Sequence, residues 1–432
     1  AFASNQIDSI DLSSCSSLVE ISPGAFYYNE TSYINFNGCV NLKRIDYSAF
    51  SDNNLTSIDF SSCTSLEFIG SDAFYSYTLT GFTLPVNTQF SEYGWRDENY
   101  ENYNGGDYVE NTEYAEFEIP IPYTLTDEDV EVVDGYIISC SYYFYRKDII
   151  IPEILDDQQV VGIANGERNS DGVFYYKGIK TVVFPQSIKV IGKWAFYENE
   201  LSKLDFTNYT NLDTLGEGSF YYNQELSKLL LTGCSNLKFI GKSAFTECIL
   251  ASVSFSDCSS LEIIDEYSFR ENNIISLDFS TCSSLREIRY SAFPENKLTS
   301  VNFSNCSSLK KIGSSTFVRN EISSINFSGC DSLSEIGYSA FSYNNLATLD
   351  LSPCISLTKI DDYAFRDADG YYDNQLTSIN FSGCVSLQSI GKNAFMYNSL
   401  TGVDLSPCTS LTNIAAYAFS YNSFSSFVLP SP

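Results

Sequence analysis

Large apolar side chains recur along the chain at a nearly fixed interval, and phenylalanine marks that interval most clearly. Phe2, Phe26, Phe50 and Phe74 lie 24 residues apart. After a gap the interval returns, mostly in steps of 24, at Phe174, Phe196, Phe220, Phe245, Phe269, Phe293, Phe317, Phe341, Phe365, Phe395 and Phe419. Self-similarity at one period of about 20 to 50 residues indicates a solenoid of stacked coils. The pattern therefore predicts four coils followed by eleven.

The polar and apolar positions inside one period predict one strand and one return segment. In the stretch 298–317, Val301 and Phe303 alternate with polar residues, as in a strand with one buried face. Ile312 and Phe317 follow at positions that supply the opposite wall of a core. One coil cannot cover both walls, so its stability must come from stacking on its neighbours. We expect the strands of successive coils to pair in parallel as one continuous sheet.

Asparagine recurs three residues after the phenylalanine of most coils. These residues are Asn5, Asn29, Asn53, Asn199, Asn223, Asn272, Asn296, Asn320, Asn344, Asn398 and Asn422, here called the asparagine ladder. An inward amide can satisfy backbone groups that a tight turn leaves unpaired. We predict a structural role for the ladder.

Thirteen cysteines raise the alternatives of disulfides or a zinc site. Eleven share one repeat position, the cysteine ladder: Cys15, Cys39, Cys63, Cys234, Cys258, Cys282, Cys306, Cys330, Cys354, Cys384 and Cys408. The chain has no histidine and no C-x-x-C pair, which argues against zinc. Coil spacing does not exclude disulfides, but parallel side-chain directions disfavour them. We interpret the ladder as small buried side chains, with Cys140 and Cys248 outside it.

The charge of the chain narrows the classes of partner. The formal net charge is −30, which argues against nucleic acid and against an anionic membrane. No apolar run reaches the 18 or so residues of a membrane span, and no signal peptide is present. Because Ala1 and Phe2 stand at the end of a coil, we expect the sequence to be a piece of a longer protein.

Interruptions of the period predict three regions. Residues 1–85 form a first repeat stack of four coils, and residues 131–432 form a cap plus a second stack of about eleven coils. Residues 86–130 between them carry twelve acidic residues and one basic residue, a net charge of −11. This insert contains too many aromatic residues for a disordered acidic linker. We expect it to be a small β-rich module.

A motif around each phenylalanine resembles a known family. IGSDAF at 69–74, IGKWAF at 191–196 and IGKNAF at 390–395 are similar to the BspA-type leucine-rich repeat of bacterial and protist surface proteins. The resemblance implies a secreted or cell-surface protein that adheres to or binds host proteins, with no shared catalytic residues. The fold class we predict is an α/β-type repeat solenoid dominated by short parallel strands. It would be a right-handed leucine-rich-repeat stack with a small β-rich insert.

Tyrosines just after the phenylalanines are the candidate ligand-binding residues. They are Tyr27, Tyr28, Tyr75, Tyr197, Tyr221, Tyr222, Tyr343, Tyr397 and Tyr421, and we expect them to stack along one edge of the solenoid. Tyrosine supplies contact area at low entropic cost. The outward strand positions are rows of Ser, Asp and Asn, which favour a solvated face.

The function we predict is a non-enzymatic binding or adhesion protein that recognises an extracellular protein or a glycan through the solenoid surface. Regular rows of Asp form no general acid and base pair, because nothing separates their pKa values. The alternative is a passive structural spacer that displays other domains. Neither nucleic acid nor direct membrane insertion belongs to either interpretation.

A six-residue insert between Phe365 and Phe395 is the one candidate metal site. Its sequence RDADGYYDN places Asp367, Asp369 and Asp373 around a flexible glycine, at the short spacing of calcium loops. A full loop would need more oxygen ligands than these, so a solvated turn is the competing interpretation. No other cofactor is predicted.

Overall fold

The protein is described here from a computed structural model. The structure describes residues 1–66, 68–70, 73–74, 81–83, 95–96, 102–103, 108–110, 117–118, 122–142, 147–366 and 375–431. The chain divides into two compact units, Ala1–Pro122 and Tyr123–Pro432. The three-part division drawn from the sequence stays a prediction.

Each coil of the second unit contributes one strand to each of two faces of a β-solenoid. The strands of the first face are Thr181–Val183, Lys203–Asp205, Lys228–Leu230, Ser252–Ser254, Ser276–Asp278, Ser300–Asn302, Ser324–Asn326, Thr348–Asp350, Ser378–Asn380, Gly402–Asp404 and Ser426–Val428. The strands of the second face are Gly162–Ile163, Val190–Ile191, Thr214–Leu215, Phe239–Ile240, Ile263–Ile264, Glu287–Ile288, Lys311–Ile312, Glu335–Ile336, Lys359–Ile360, Ser389–Ile390 and Asn413–Ile414. Neighbouring coils pair in parallel at equivalent positions, as Val301 does with Ile325.

Residues before the regular coils of the second unit form its first layer. Their strands are Tyr123–Thr124, Val130–Val133, Tyr136–Cys140, Asp148–Ile150, Ile154–Leu155 and Gln158–Gln159. Val130–Val133 and Tyr136–Cys140 form an antiparallel hairpin, and the second of these strands pairs in parallel with Gly162–Ile163. The hairpin thereby pairs the edge of the second face, an edge that would otherwise expose unpaired backbone groups.

The first unit repeats the two-face arrangement. Its strands are Ser9–Asp11, Tyr33–Asn35, Ile58–Asp59 and Gly81–Thr83 on the first face, and Glu20–Ile21, Arg44–Ile45 and Phe68–Ile69 on the second. These are followed by four further strands, which are Trp95–Arg96, Asn102–Tyr103, Tyr108–Glu110 and Phe117–Glu118. They pair antiparallel, Tyr108–Glu110 with Gly81–Thr83 and Phe117–Glu118 with Phe68–Ile69.

The α/β-type class predicted from the sequence is wrong, because the described residues contain no helix. The return segments are turns in which the residues two before and two after the phenylalanine have positive φ, as Ser315 (53°) and Arg319 (56°) do around Phe317. A right-handed helix requires a run of negative φ angles. The amide N–H groups of Ser315, Phe317 and Arg319 instead donate to carbonyls of the next coil. The hydrogen bonds of this segment therefore run between coils.

The continuous sheet lies on the face opposite to the one predicted. In the described part of the second unit, the second-face strands and the cap hairpin form one sheet of 13 strands. The first-face strands of the second unit form separate sheets of two or three strands. The prediction of one continuous sheet through strands such as Ser300–Asn302 is therefore wrong.

Phenylalanine rings fill the core between the two faces. Phe293 and Phe317 are fully buried, and their parallel rings lie 5.6 Å apart between centroids, as predicted. Phe303 on the first face meets Phe317 edge to face at 6.0 Å. Each ring thus contacts rings of its own coil and of the adjacent coils, so the coils stabilise one another.

The asparagines of the ladder join their coils to the preceding ones, which confirms the predicted structural role except at Asn5, which is exposed and bonds only to its own turn. The Asn344 amide donates to the carbonyls of Phe317 and Phe341, at 2.9 and 3.0 Å. Its Oδ1 accepts the backbone N–H of Ile322 at 3.0 Å. The same contacts recur at Asn320, which donates to Phe293 and accepts from Leu298. One buried side chain therefore satisfies three backbone groups of the turn.

Replacement of a core phenylalanine should test the assigned repeat positions. We expect Phe317→Ala to lower the free energy of unfolding by about 3 to 5 kcal/mol, because a stacked ring is lost and a cavity remains. Ile355→Ala, at a position 49% exposed, is the control. Chemical denaturation followed by circular dichroism measures both. A loss below about 0.5 kcal/mol for Phe317→Ala is a surface-sized effect and would contradict the assignment.

Two adjacent asparagines, only one of which belongs to the ladder, allow the effect of the ladder hydrogen bonds to be measured against that of losing any asparagine. Asn344 is fully buried, whereas its neighbour Asn345 is exposed. We expect Asn344→Ala to cost at least about 2 kcal/mol, since each buried backbone group left unsatisfied costs about 1 to 3 kcal/mol. Asn345→Ala should cost less than about 0.5 kcal/mol. Equal losses in denaturant titrations of the two variants would overturn the role of the ladder.

Candidate recognition surface

Two side chains follow a core phenylalanine in the turn. Among the described residues, the first is buried in some coils, as Thr246 and Ser342 are, whereas the second is always half-buried or exposed. The second of them has positive φ in coil after coil, including Tyr222 (60°), Tyr343 (59°) and Tyr421 (57°). The asparagine that follows holds this turn through its hydrogen bonds. The side chain at the second position therefore lies on a fixed backbone and outside the core.

Eight of the nine predicted tyrosines lie in the described part of the chain, two in the first unit and six in the second. Tyr27 and Tyr28 are exposed at the edge of the first unit, and Tyr75 lies outside the described residues. In the second unit Tyr421 is exposed, whereas Tyr197, Tyr221, Tyr222, Tyr343 and Tyr397 are half-buried. The tyrosines of the second unit do not form one row. Between the coils of Phe220 and Phe341, the first position after the phenylalanine holds Thr246, Arg270, Pro294 and Val318.

The larger aromatic group comprises Tyr175, Tyr176, Trp194, Tyr197, Tyr221 and Tyr222, here called the aromatic patch. Tyr197 stacks on Tyr175 at 5.4 Å and on Tyr221 at 5.3 Å between ring centroids. Trp194 meets the edges of Tyr197 and Tyr221 at 5.8 and 6.3 Å. Three consecutive coils thus build one aromatic surface.

Hydrogen bonding fixes the polar end of this surface. The Tyr221 hydroxyl donates to Glu247 Oε1 at 2.8 Å. Burial, and then this carboxylate, raises the pKa of Tyr221. Burial also raises the pKa of Tyr197. Both phenols are therefore neutral at physiological pH, and their rings offer apolar contact beside hydrogen-bonding hydroxyls.

A smaller group lies toward the carboxyl end of the second unit. Tyr397 and Tyr421 stack at 4.5 Å between centroids. The Arg366 guanidinium lies over Tyr363 at 5.4 Å and over Tyr397 at 5.7 Å. The structure therefore brings together two of the predicted residues here.

Sequence reasoning missed Tyr175, Tyr176 and Trp194. The pair Tyr175 and Tyr176 follows Phe174 in the same way that Tyr221 and Tyr222 follow Phe220, and this equivalence could have found it. Trp194 stands two residues before its phenylalanine, where other coils carry Ser315 or Ser339. A bulky aromatic residue at a position held by serine was the available signal.

The polar rows of the first face are occupied with hydrogen bonds inside the solenoid. Asn302 donates to the Asp278 carboxylate at 3.0 Å and accepts the backbone N–H of Ser304 at 3.1 Å. Asn380 and Asp350 repeat this arrangement. Apart from the exposed Tyr33 of the first unit, the outward strand positions of this face that the structure describes carry neither aromatic rings nor arginines of the kind that dominate protein hot spots.

Ten of the eleven cysteines of the ladder are buried and Cys15 is half-buried, and all thirteen cysteines of the chain are free. Cys306 Sγ donates to the Phe279 carbonyl of the preceding coil at 3.2 Å. Burial raises the pKa of the Cys306 thiol to about 12. Cys248 occupies an asparagine position and likewise donates to the carbonyl of Phe220.

The candidate calcium residues Asp367, Asp369 and Asp373 lie outside the described residues. Within the part of the chain that is described, no three metal-ligating side chains come together as a site. No helix of the described ranges has the length and apolar character to cross a membrane.

Comparison with known proteins relates the repeats to one family. The profile of the family described as BspA type leucine rich repeat region matches the chain in six copies, over residues 1–101, 170–275, 238–371 and 368–432. A comparison with curated proteins finds no match.

Three solved structures illustrate the range of structural similarity. The functional domain of InlJ from Listeria monocytogenes, which includes a cysteine ladder, is 12% identical with a TM-score of 0.38. The match covers 96% of this chain, which spans 60% of the length of that domain. A leucine-rich repeat protein from Bacteroides ovatus is 15% identical, covers 95% of this chain and 78% of its own, and has a TM-score of 0.29. The pneumococcal vaccine antigen PcpA is 15% identical, covers 71% of this chain and 98% of its own, and has a TM-score of 0.34. Similarities at these scores support no conclusion about ligand or partner.

Thiol labelling should separate buried from half-buried cysteines. Iodoacetamide attacks the thiolate, and burial suppresses both ionisation and access. We therefore expect no labelling of Cys306 or Cys330 at pH 8 in the folded protein, and complete labelling in denaturant. Cys15, which is half-buried, should react first. Peptide mass spectrometry measures each site, and labelling of Cys306 at the rate found in denaturant would contradict its burial.

Calcium at the insert stays a prediction. If Asp367, Asp369 and Asp373 bind the ion, calorimetric titration with millimolar calcium should release heat and raise the melting temperature. Asp369→Ala should abolish both effects. No heat and an unchanged melting temperature in the unsubstituted chain would leave only the solvated turn.

Proposed function

The chain belongs to the BspA-type leucine-rich-repeat family, and we propose that it is a non-enzymatic binding module exposed at a cell surface or secreted. Its partner would be an extracellular protein or a glycan, bound through the aromatic patch. The observation that carries this proposal is the stacked surface of Tyr175, Tyr197 and Tyr221 with Trp194 at its edge.

Two physical features of the patch favour recognition. Tyrosine and tryptophan are enriched among the residues that dominate protein interfaces, since each supplies a large contact area with few rotatable bonds. The rings also contact one another, so little side-chain entropy remains to be lost when a partner docks. Holding the turns by the buried amides of Asn199 and Asn223 adds to this preorganisation.

The charge of the chain limits the partners. With a net charge of −30, the surface repels nucleic acids and anionic membranes, so neutral or basic partners are favoured. Direct insertion into a membrane is not part of the proposal.

Binding to defined surfaces tests the proposal. We expect the full chain to bind at least one member of a panel of purified matrix proteins and immobilised glycans in surface plasmon resonance. The double variant Tyr197→Ala, Tyr221→Ala should lose about 2 kcal/mol or more of binding free energy, about 30-fold in Kd. Tyr33→Ala, at an exposed strand position of the first unit, is the matched control and should bind as the unsubstituted chain does.

Stability has to be measured in parallel, because Tyr197 and Tyr221 are half-buried. Tyr176→Ala, at a position of the patch that is 69% exposed, provides a further variant whose melting temperature should change little. Unchanged affinity of folded Tyr197→Ala, Tyr221→Ala protein would show that the patch is not the binding surface. A chain that binds no member of the panel would favour the passive spacer. That alternative is supported by the first face, whose polar side chains already hydrogen-bond to one another.

A further inference from the structure

We propose that a cavity beside the aromatic patch binds one sugar unit of a neutral oligosaccharide. This inference rests on the proposed function and names its ligand class. The cavity has a volume of about 430 Å³, and its lining includes Lys147, Tyr176, Gly178, Glu198, Tyr222 and Glu225. This volume lies within the range of about 300 to 1,000 Å³ that small-molecule sites occupy.

The cavity opens where the repeat departs from its pattern. Lys177 takes the position of the ladder asparagine, and Gly178 follows where the next two coils carry Glu200 and Gln224. Gly178 has a φ of +65°, which favours glycine over residues with a side chain. The row of side chains is therefore interrupted at Gly178, and the Lys147 ammonium lies in the space next to it.

Hydrogen bonds organise the floor of the cavity around this gap. The Lys147 ammonium donates to the carbonyl of Lys177 at 3.0 Å. The backbone N–H groups of Lys177 and Ile179 donate to Asn199 Oδ1, at 3.1 and 2.9 Å. A Cβ at position 178 would lie 3.1 Å from Lys147 Nζ and 3.5 Å from Glu200 Oε1. The ammonium of Lys147 and the carboxylate of Glu200 therefore both lie close to Gly178 in the lining of the cavity.

The polar lining selects a neutral ligand with hydroxyl groups. The cavity is lined by side chains of both charges. The carboxylates are those of Glu198, Glu200 and Glu225, and the ammonium groups are those of Lys147 and Lys177. A ligand with a formal charge would be attracted by one of the two sets and repelled by the other, so the cavity gives little net preference for an ion. A hydroxyl group donates to a carboxylate and accepts from an ammonium, so it suits both.

The aromatic lining selects a ring with an apolar face. Tyr176, which is 69% exposed, and Tyr222 both border the cavity. The C–H face of a pyranose packs on an aromatic ring while its rim of hydroxyl groups stays free for hydrogen bonds. Tyr222 also contacts Tyr221 at 6.3 Å, and Tyr176 contacts Tyr175 at 5.9 Å. The cavity therefore borders the aromatic patch, and further sugar units of a bound oligosaccharide would lie on these rings.

A glycan microarray probed with the full chain tests the inference. The array should carry neutral oligosaccharides of glucose, galactose, mannose and N-acetylhexosamines, together with sialylated and sulfated oligosaccharides. We expect binding to neutral members, with affinity at least tenfold lower for Tyr176→Ala and for Glu198→Gln. The control is Tyr417→Ala, since Tyr417 is 62% exposed with a φ of 60° and stands outside both the cavity and the patch.

The possible failures are distinguishable. Binding restricted to sialylated or sulfated members would overturn the neutral class, and undiminished binding of Tyr176→Ala and Glu198→Gln would overturn the cavity. Binding to a matrix protein through Tyr197 and Tyr221, with no oligosaccharide bound, would overturn this inference and leave the proposed function standing. A chain that bound neither proteins nor oligosaccharides would overturn both.

Discussion

The buried amide of the ladder asparagine is the interaction on which the rest of the molecule depends. Most of the described turns around a core phenylalanine contain two residues with positive φ, a conformation that costs about 1 to 2 kcal/mol for a residue with a side chain. In most coils the turn persists because one amide joins the carbonyls of two coils and accepts an N–H from the preceding one, as Asn344 does. In the coil of Phe245, the Cys248 thiol donates to the equivalent carbonyl of Phe220. With the turn held in this way, successive phenylalanine rings come to stack about 5 Å apart, which is the spacing of paired strands.

The separation between positions that fix the backbone and positions that vary between coils explains where a binding surface can arise. The core and the asparagine keep the backbone fixed, so the two positions after each phenylalanine are free to differ between coils. Near the start of the second stack they carry tyrosines, and farther along they carry Arg270, Pro294 or Val318. At Lys177 and Gly178 the ladder itself is interrupted, and both residues line a cavity. Recognition is therefore expected where the structural pattern is relaxed.

Much of the fold could be predicted from the sequence because the repeat shows its core positions directly. The period of Phe293 and Phe317 indicated the stacking, and the position of Asn320 indicated a buried amide. The absence of helix could not be foreseen, because the positive φ angles fall on Ser315 and Arg319, which have no preference for that conformation. The spacing also left open which face would carry the continuous sheet.

The candidate site was predictable only in part, for a similar reason. Tyr197, Tyr221 and Tyr222 were visible from their place after the phenylalanine, but the contribution of Trp194 depends on how two turns approach each other.

Native-state hydrogen exchange of the backbone N–H of Ile322 and Leu298 tests the central claim most directly. Because these groups donate to Asn344 and Asn320, the account predicts protection equal to that of the strand amide of Val301. Exchange at the rate of a solvent-exposed loop would contradict it.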